Sequence, residues 1–578
     1  MLYPQSNPFR QTIDLSGFWD FAFDPDQRGH SAGWTRGFTH ARPIAVPASW
    51  NDQFEDGRDY LGAAWYQTHF DLPLGFDPGS HKIRLRFGSV NYLAEVWLNG
   101  EHIGTHEGGH LPFEFDVSAR LQREANTLVV RVDGELKPDR VPPGNLTSDM
   151  QDVATHSKYP NYPNASFDFF QFCGIHRPVL LYATTREAIE DITVVTDIVG
   201  EAGRVRVTIE PSTSALARFT LRGHDANIVA ETHANEIVLD VPRAALWSPD
   251  APNLYDLTIE LVRDSVVFDR YTLAIGIRTI QVAGDALLLN GKPIHLTGFG
   301  RHEDFAISGR GYNPPVIIKD FALLKWIGAN SFRTSHYPYS EQMMDLADRL
   351  GFLVIDETPA VGLFFVEAGL ERRLKLCRQY THDVIARDKN HPSVIVWSLA
   401  NEPRSNHPNA KNFFRNLFDL AKSLDATRPV TVVSNKSLEE EAFEFCDLLC
   451  LNRYNAWYHD SGQLDAGCVA LAKEIDALHA KFNKPLLMAE FGADTIPGWH
   501  AQPPEMFSEE FQAELLDQQI HVLRSRPFVV GEQIWNMCDF KTGQSVRRMG
   551  SMNYKGVFTR DRRPKLAAHR LRAIWNSK

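Results

Sequence analysis

Val394-Ile395-Val396-Trp397-Ser398 runs into Asn401-Glu402-Pro403: a short apolar run that ends in a lone carboxylate. A second stretch repeats the design, Pro485-Leu486-Leu487-Met488 leading into Ala489-Glu490-Phe491-Gly492. Buried parallel strands are apolar throughout, and a β/α barrel displays its chemistry where those strands end. Two such strands, each delivering one carboxylate, suggest paired-carboxylate chemistry at one barrel mouth, the arrangement that cleaves glycosidic bonds.

Outward from these two, eight strand candidates alternate with helical periods after about residue 278. They are Ile294–Thr297, Ser331–Thr334, Leu353–Ile355, Val394–Ser398, Val430–Val433, Leu448–Leu451, Leu486–Ala489 and Val529–Trp535. Ile317, Phe321, Leu324 and Ile327 form one helical stripe. Met344, Ala347 and Leu350 form another, closed by Gly351 as a C-cap. Eight such units predict a C-terminal (β/α)8 TIM barrel over 278–578. Residues 1–185 read differently, as short alternating strands such as Ile83–Phe87 and Leu93–Leu98 before the Asn99-Gly100 turn, and predict a β jelly-roll. Residues 186–277 carry strands at sandwich spacing and predict an immunoglobulin-like β-sandwich, with Trp247-Ser248-Pro249 as a corner.

The chain of 578 residues is too long for one core. Its net charge of −12, with scattered Lys and Arg, argues against nucleic acid and anionic membranes as partners. The six Cys lie too far apart for a disulfide framework and are expected reduced and buried. No apolar run approaches the ~20 residues that span a bilayer. The N-terminus shows no basic and apolar leader pattern, so a cytoplasmic location is expected. The pattern Asn145-Leu146-Thr147 is a sequon, without meaning unless the chain is secreted.

The strand ends supply Arg301-His302-Glu303, Arg333 with His336, Asp356-Glu357, Asn401-Glu402, Asn452 with Tyr454, Glu490 and Trp535-Asn536, all expected at one mouth. Each has a plainer interpretation. Asn401-Glu402-Pro403 could be a helix start, with Asn401 as N-cap and Pro403 at the first turn. Glu490 could be tied to a buried Arg such as Arg333, and His302 and His336 could be core histidines. Trp397, Trp457 and Trp535 could be core, although at least one ring is expected against a sugar. Lys555, in Asn553-Tyr554-Lys555-Gly556, could be a free surface Lys or an anion clamp. No HxH pattern occurs, and no metal is expected.

At this point the residues resemble a known family over nearly the whole chain. Asp388-Lys389-Asn390-His391-Pro392-Ser393 through Asn401-Glu402, and Asn330-Ser331-Phe332-Arg333-Thr334-Ser335-His336-Tyr337-Pro338, are similar to the two signatures of glycoside hydrolase family 2. Within it, Asn553 and Lys555 match the Asn-x-Lys motif by which the β-glucuronidase subgroup holds the sugar carboxylate. The resemblance implies Glu402 as acid/base, Glu490 as nucleophile, and no cofactor. It implies a glycone pocket drawn from Asp168, His336, Asn401, Asn452, Tyr454, Tyr458, Trp535, Arg548, Asn553 and Lys555. Asp168 would reach in from the jelly roll. The implied activity is retaining exo-cleavage of small or oligosaccharide β-glucuronides by a homo-oligomer, dimer or tetramer. The alternatives are a β-galacturonidase or dual β-hexuronidase and, from another class, a carbohydrate-binding protein with an inactive barrel. Two departures stand out. The stretch between Val361-Gly362 and Ile385-Ala386-Arg387-Asp388 is short, which implies an open aglycone side, and the spacing from Arg548 to Asn553 is one residue longer than the pattern.

Overall fold

The computed structural model of the protein describes residues 1–145, 165–210, 215–224 and 226–577. Leu146 and Thr147 of the sequon therefore lie outside the described residues.

Eight parallel strands close into a barrel: Leu296–Gly300, Ser331–Arg333, Leu353–Glu357, Val394–Asn401, Val430–Ser434, Leu449–Asn452, Leu486–Glu490 and Val529–Ile534. All eight expected strands are present, with ends displaced by a few residues, most at the first. Strand 4 is buried at every residue, as a strand covered on both faces must be. The helices between them bury the first expected stripe fully and the second at Met344 and Ala347, with Leu350 partly buried. Ile317, Phe321, Leu324 and Ile327 are buried on Pro314–Ile327, and Glu341–Leu350 ends at Gly351 with φ 75°. That left-handed C-cap suits glycine for a second reason: a Cβ there would lie 2.4 Å from the Pro249 carbonyl of the middle domain.

The N-terminal part packs a four-stranded against a six-stranded antiparallel sheet, whose central strands are His81–Phe87, Val179–Thr185, Ala63–Phe70 and Asn126–Asp133. Trp19, Trp50, Tyr66, Phe87 and their neighbours form its own core. The middle part is a three-on-four sandwich, in which Ala202–Glu210 buries Gly203, Val205, Val207 and Ile209 on one face. This alternation gives the domain a separate core from the barrel. Trp247, at the expected corner, is fully buried and reaches the barrel floor, donating from Nε1 to the Asp348 carbonyl (2.8 Å). Five of the six Cys are buried and all are free; Cys468 is only partly buried, unlike the expectation, because it lies at the edge where helix Leu464–Phe482 meets helix Glu509–Arg524, its Sγ 3.8 Å from Gln518 Oε1. No helix among the described residues is long and apolar enough to cross a membrane.

Candidate active site

Glu402 and Glu490 lie at the C-terminal ends of barrel strands 4 and 7. No helix begins at Pro403. The next one starts at Ala410, so the N-cap interpretation of Asn401-Glu402-Pro403 is wrong. The strand's hydrogen bonding wins instead: Asn401 N donates to the Ala360 carbonyl (3.0 Å) and Glu402 N to that of Val433 (2.8 Å). Glu402 is held at φ 45°, a left-handed conformation that a non-glycine residue adopts at a cost and that clusters at functional sites. On strand 7, Gly492 (φ 157°) lets the loop pass Trp535, whose carbonyl would lie 2.3 Å from an added Cβ.

One buried arginine organises the mouth. Arg333 Nη2 donates to Glu490 Oε1 (2.5 Å), and its Nη1 donates to both oxygens of Glu357 (2.8 and 2.9 Å). Tyr454 Oη donates to the other oxygen of Glu490 (2.7 Å). Glu402 Oε1 accepts from Asn452 Nδ2 (2.8 Å), which also reaches Asn401 Oδ1 (3.2 Å). Asn401 Oδ1 is in turn 3.4 Å from Arg333 Nη1, so the two glutamates belong to one hydrogen-bonded chain. His336 Nδ1 sits 2.9 Å from Glu357 Oε1 and 3.1 Å from Arg333 Nη1. Burial pushes His336 down to about 4, so the ring is neutral; its Nε2 faces Glu490 at 3.6 Å, and it stacks on Trp535 at 4.8 Å.

Burial, then the field of Glu402, pushes Glu490 up to about 8 against the opposing Arg333 charge; burial raises Glu402 as well. Two neighbouring acids whose charges interact in this way titrate as a pair. Their donors distinguish them. Glu490 has a guanidinium and a phenol, both of which favour the anion, whereas Glu402 has one neutral amide. By these donors Glu490 is the better-stabilised anion of the two, and Glu402 the better placed to hold a proton. A poised acid beside an oriented carboxylate is the equipment of two-step glycosidic cleavage.

Beside this pair lies a charged rim. Lys555 is buried, not solvated: its Nζ is bonded to Asp494 Oδ2 and Tyr458 Oη (2.9 Å) and lies over the rings of Tyr454, Trp457 and Tyr458. Arg548 spans Asp168 (2.8 Å), Asp494 (3.3 Å) and Tyr458 Oη (2.9 Å), despite its altered spacing in the sequence. Asn553 Nδ2 donates to Asp168 Oδ2 (2.7 Å), and its Oδ1 accepts from Lys555 N (3.0 Å). Asp168 thus reaches from the jelly roll to the barrel rim, where it stays exposed, and against local desolvation Arg548 holds its carboxyl below the usual range.

Not every strand-end residue turns inward. Asp356 accepts from Thr334 (3.0 Å) and shares a hydrogen bond with Asp388, because strand alternation points it away from the mouth; Arg301 pairs with Asp320 of the following helix (2.6 Å). Glu303 turns to Arg177 (3.2 Å), and Asn536 Oδ1 caps Cys538 N (3.2 Å). His302 is packed between Trp535 and Phe540, bonded to Tyr337 Oη (3.0 Å), and burial holds it neutral. Trp397 is core, donating to Asp425 (2.9 Å). Sequence reasoning missed Asp494 entirely and missed Glu357 as the partner of Arg333. Asp494 follows Glu490 by four residues, and that closeness to a strand end was its one signal.

Comparison with known proteins agrees with this geometry. Residues 280–577 match the "Glycosyl hydrolases family 2, TIM barrel domain", residues 13–185 its sugar binding domain, and residues 187–278 a third family 2 unit. The chain is 41% identical to a β-glucuronidase of Paenibacillus borealis, covering 100% of this chain and 98% of that protein. It is 40% identical to the human β-glucuronidase, covering 99% and 92%. Among solved structures, the β-D-glucuronidase of Dictyoglomus thermophilum superposes with a TM-score of 0.92 at 41% identity, covering 100% and 99%. The Ruminococcus gnavus β-glucuronidase in complex with uronic isofagomine gives 0.94 at 38%, also covering 100% and 99%. With three matched domains in the family's order and a paired-glutamate barrel mouth, the chain belongs to glycoside hydrolase family 2.

Proposed function

We propose that this glycoside hydrolase is a retaining exo-β-glucuronidase. Glu490 attacks the anomeric carbon while Glu402 gives its proton to the departing glycosidic oxygen, so a C–O bond to Glu490 forms as the aglycone bond breaks. Water, deprotonated by Glu402, then displaces Glu490 and releases D-glucuronate with retained configuration. Tyr454 and Arg333 hold Glu490 ionised. Asn401 and Asn452 tie Glu402 to the sugar side, and Asp168, His336 and Trp535 line the glycone pocket. Lys555, Asn553, Arg548 and Tyr458 receive the C6 carboxylate.

The observation that carries this reading is Tyr454. Its hydroxyl donates to Glu490 while its ring lies 5.6 Å from Lys555 Nζ. One aromatic side chain therefore separates nucleophile and cation, which suits a sugar bearing its acid at the far side of the ring from the anomeric carbon. The names of the relatives support the same substrate class. A hydrolysis panel of aryl β-glucuronide, β-galacturonide, β-galactoside and β-mannoside tests it. Glucuronide should be cleaved fastest. Preference for galacturonide would shift the assignment at O4, and inertness toward all four would leave a binding protein. The same reading takes the enzyme to be a cytoplasmic dimer or tetramer, a point for cell fractionation and light scattering.

A further inference from the structure

The uronate-binding rim is already charge-balanced before any substrate arrives. Lys555 and Arg548 are the cations of the cluster, and Asp494 and Asp168 are its carboxylates, so the formal sum is zero. An arriving uronate adds a negative charge to a cluster with no net positive charge to meet it. Lys555 has three N–H donors, of which Asp494 and Tyr458 occupy two. Asp494 is not free to swing aside, because its Oδ1 also accepts from Tyr554 N (2.9 Å). Leaving would strand a backbone donor beside buried Lys555.

We propose that Asp494 is a specificity-determining residue that weakens uronate binding: its fixed charge shares Lys555 and Arg548 with the substrate's acid group. The inference rests on the uronide reading above. Its consequence falls on substrate and product alike, since free glucuronate carries the same carboxylate. A neutral sugar gains from Asp494 instead, because Lys555 stays paired when no acid arrives. Asp494 thus trades uronate affinity for product release.

Asp494→Asn is the natural probe. Its amide oxygen can still accept from Tyr554 N, and only the charge is lost. The inhibition constant of free D-glucuronate and KM for an aryl β-glucuronide should both fall by about ten-fold or more, since a like charge beside a bound ion is costly. KM for an aryl β-galactoside should hold or rise. In a Lys555→Gln background the same substitution should shift both uronate values by clearly less, because only the share through Arg548 and the direct charge repulsion remain. Asp494→Ser carries the same expectation should the Asn variant fail to fold. If glucuronate binds equally or more weakly in both neutral variants, Asp494 merely holds Lys555 in place and the inference is overturned. A wild-type enzyme inert toward every uronide would instead remove the reading beneath it.

Discussion

Barrel strand 4 carries charge at both ends, and the two ends are built to opposite rules. At its entry, Asp388-Lys389-Asn390-His391-Pro392-Ser393 is tied down by paired groups. Lys389 is paired with Asp191, Asn390 accepts from Val194 N (2.8 Å) and donates to the Ile192 carbonyl (2.8 Å), and Arg278 donates to the Pro392 and Val394 carbonyls (3.1 and 2.8 Å). These contacts fasten the middle sandwich to the barrel floor. At its exit, Glu402 is held left-handed, and desolvation raises both acids. The resemblance motif that spans the strand is therefore half adhesive and half chemistry. Substitutions at the two ends should separate turnover from stability.

The largest effect is expected at the exit. Glu490→Ala should lower kcat by about 10⁴-fold or more, as loss of a covalent nucleophile does. The fold should tolerate it, because Arg333 keeps Glu357 as a bidentate partner and is not left as a lone buried charge. Turnover retained at a tenth of wild type would remove Glu490 from that role. An unfolding temperature dropping by more than a few degrees would erase the contrast with the entry end.

Lys555→Ala comes next. It should cost roughly 10²-fold in kcat/KM on an aryl glucuronide, the scale of losing a charge-assisted contact of about 3 kcal/mol, and far less on a galactoside. Asp494 would keep Arg548 as a partner (3.3 Å), which limits the damage to recognition. Equal losses on both substrates would mean that Lys555 supports the rim without sensing the acid.

The barrel was legible because each of its strands is a short apolar run that ends in polar residues, and because helix stripes such as Ile317, Phe321, Leu324 and Ile327 keep a 3.6-residue period. Glu402, Glu490 and Lys555 were legible for the same reason: they stand just past such runs or in a distinctive tripeptide. What stayed hidden is pairing across loops. Asp494 meets Lys555 from the loop after strand 7, and nothing local in either segment records that they touch. Asn401-Glu402-Pro403 misled because capping preferences are local, whereas the bonds to Ala360 and Val433 that hold Asn401 and Glu402 come from elsewhere in the chain. Asp356 misled because alternation sends it to the opposite face from Glu357, its neighbour in the chain.

The smallest predicted effect tests the entry end, through pH. His391 Nδ1 lies 2.6 Å from Asp348 Oδ2, with Asp388 at 4.0 Å and Asp345 beside it. Burial lowers its pKa, but these carboxylates outweigh burial and push it up to about 9. An unfolded histidine titrates near ~6.5. The folded value is the higher one, so this pair's contribution is fully present below about pH 6.5 and is lost as pH rises through about 9; the shift corresponds to roughly 3 kcal/mol. Thermal unfolding of wild type and His391→Gln, followed from pH 6 to 10, should show a gap of several degrees that closes above pH 9. Turnover at 25 °C should stay unchanged, since His391 faces the floor and not the mouth. A gap constant across that range would show that His391 contributes by packing alone, and the entry end would then owe its hold to Lys389, Asn390 and Arg278.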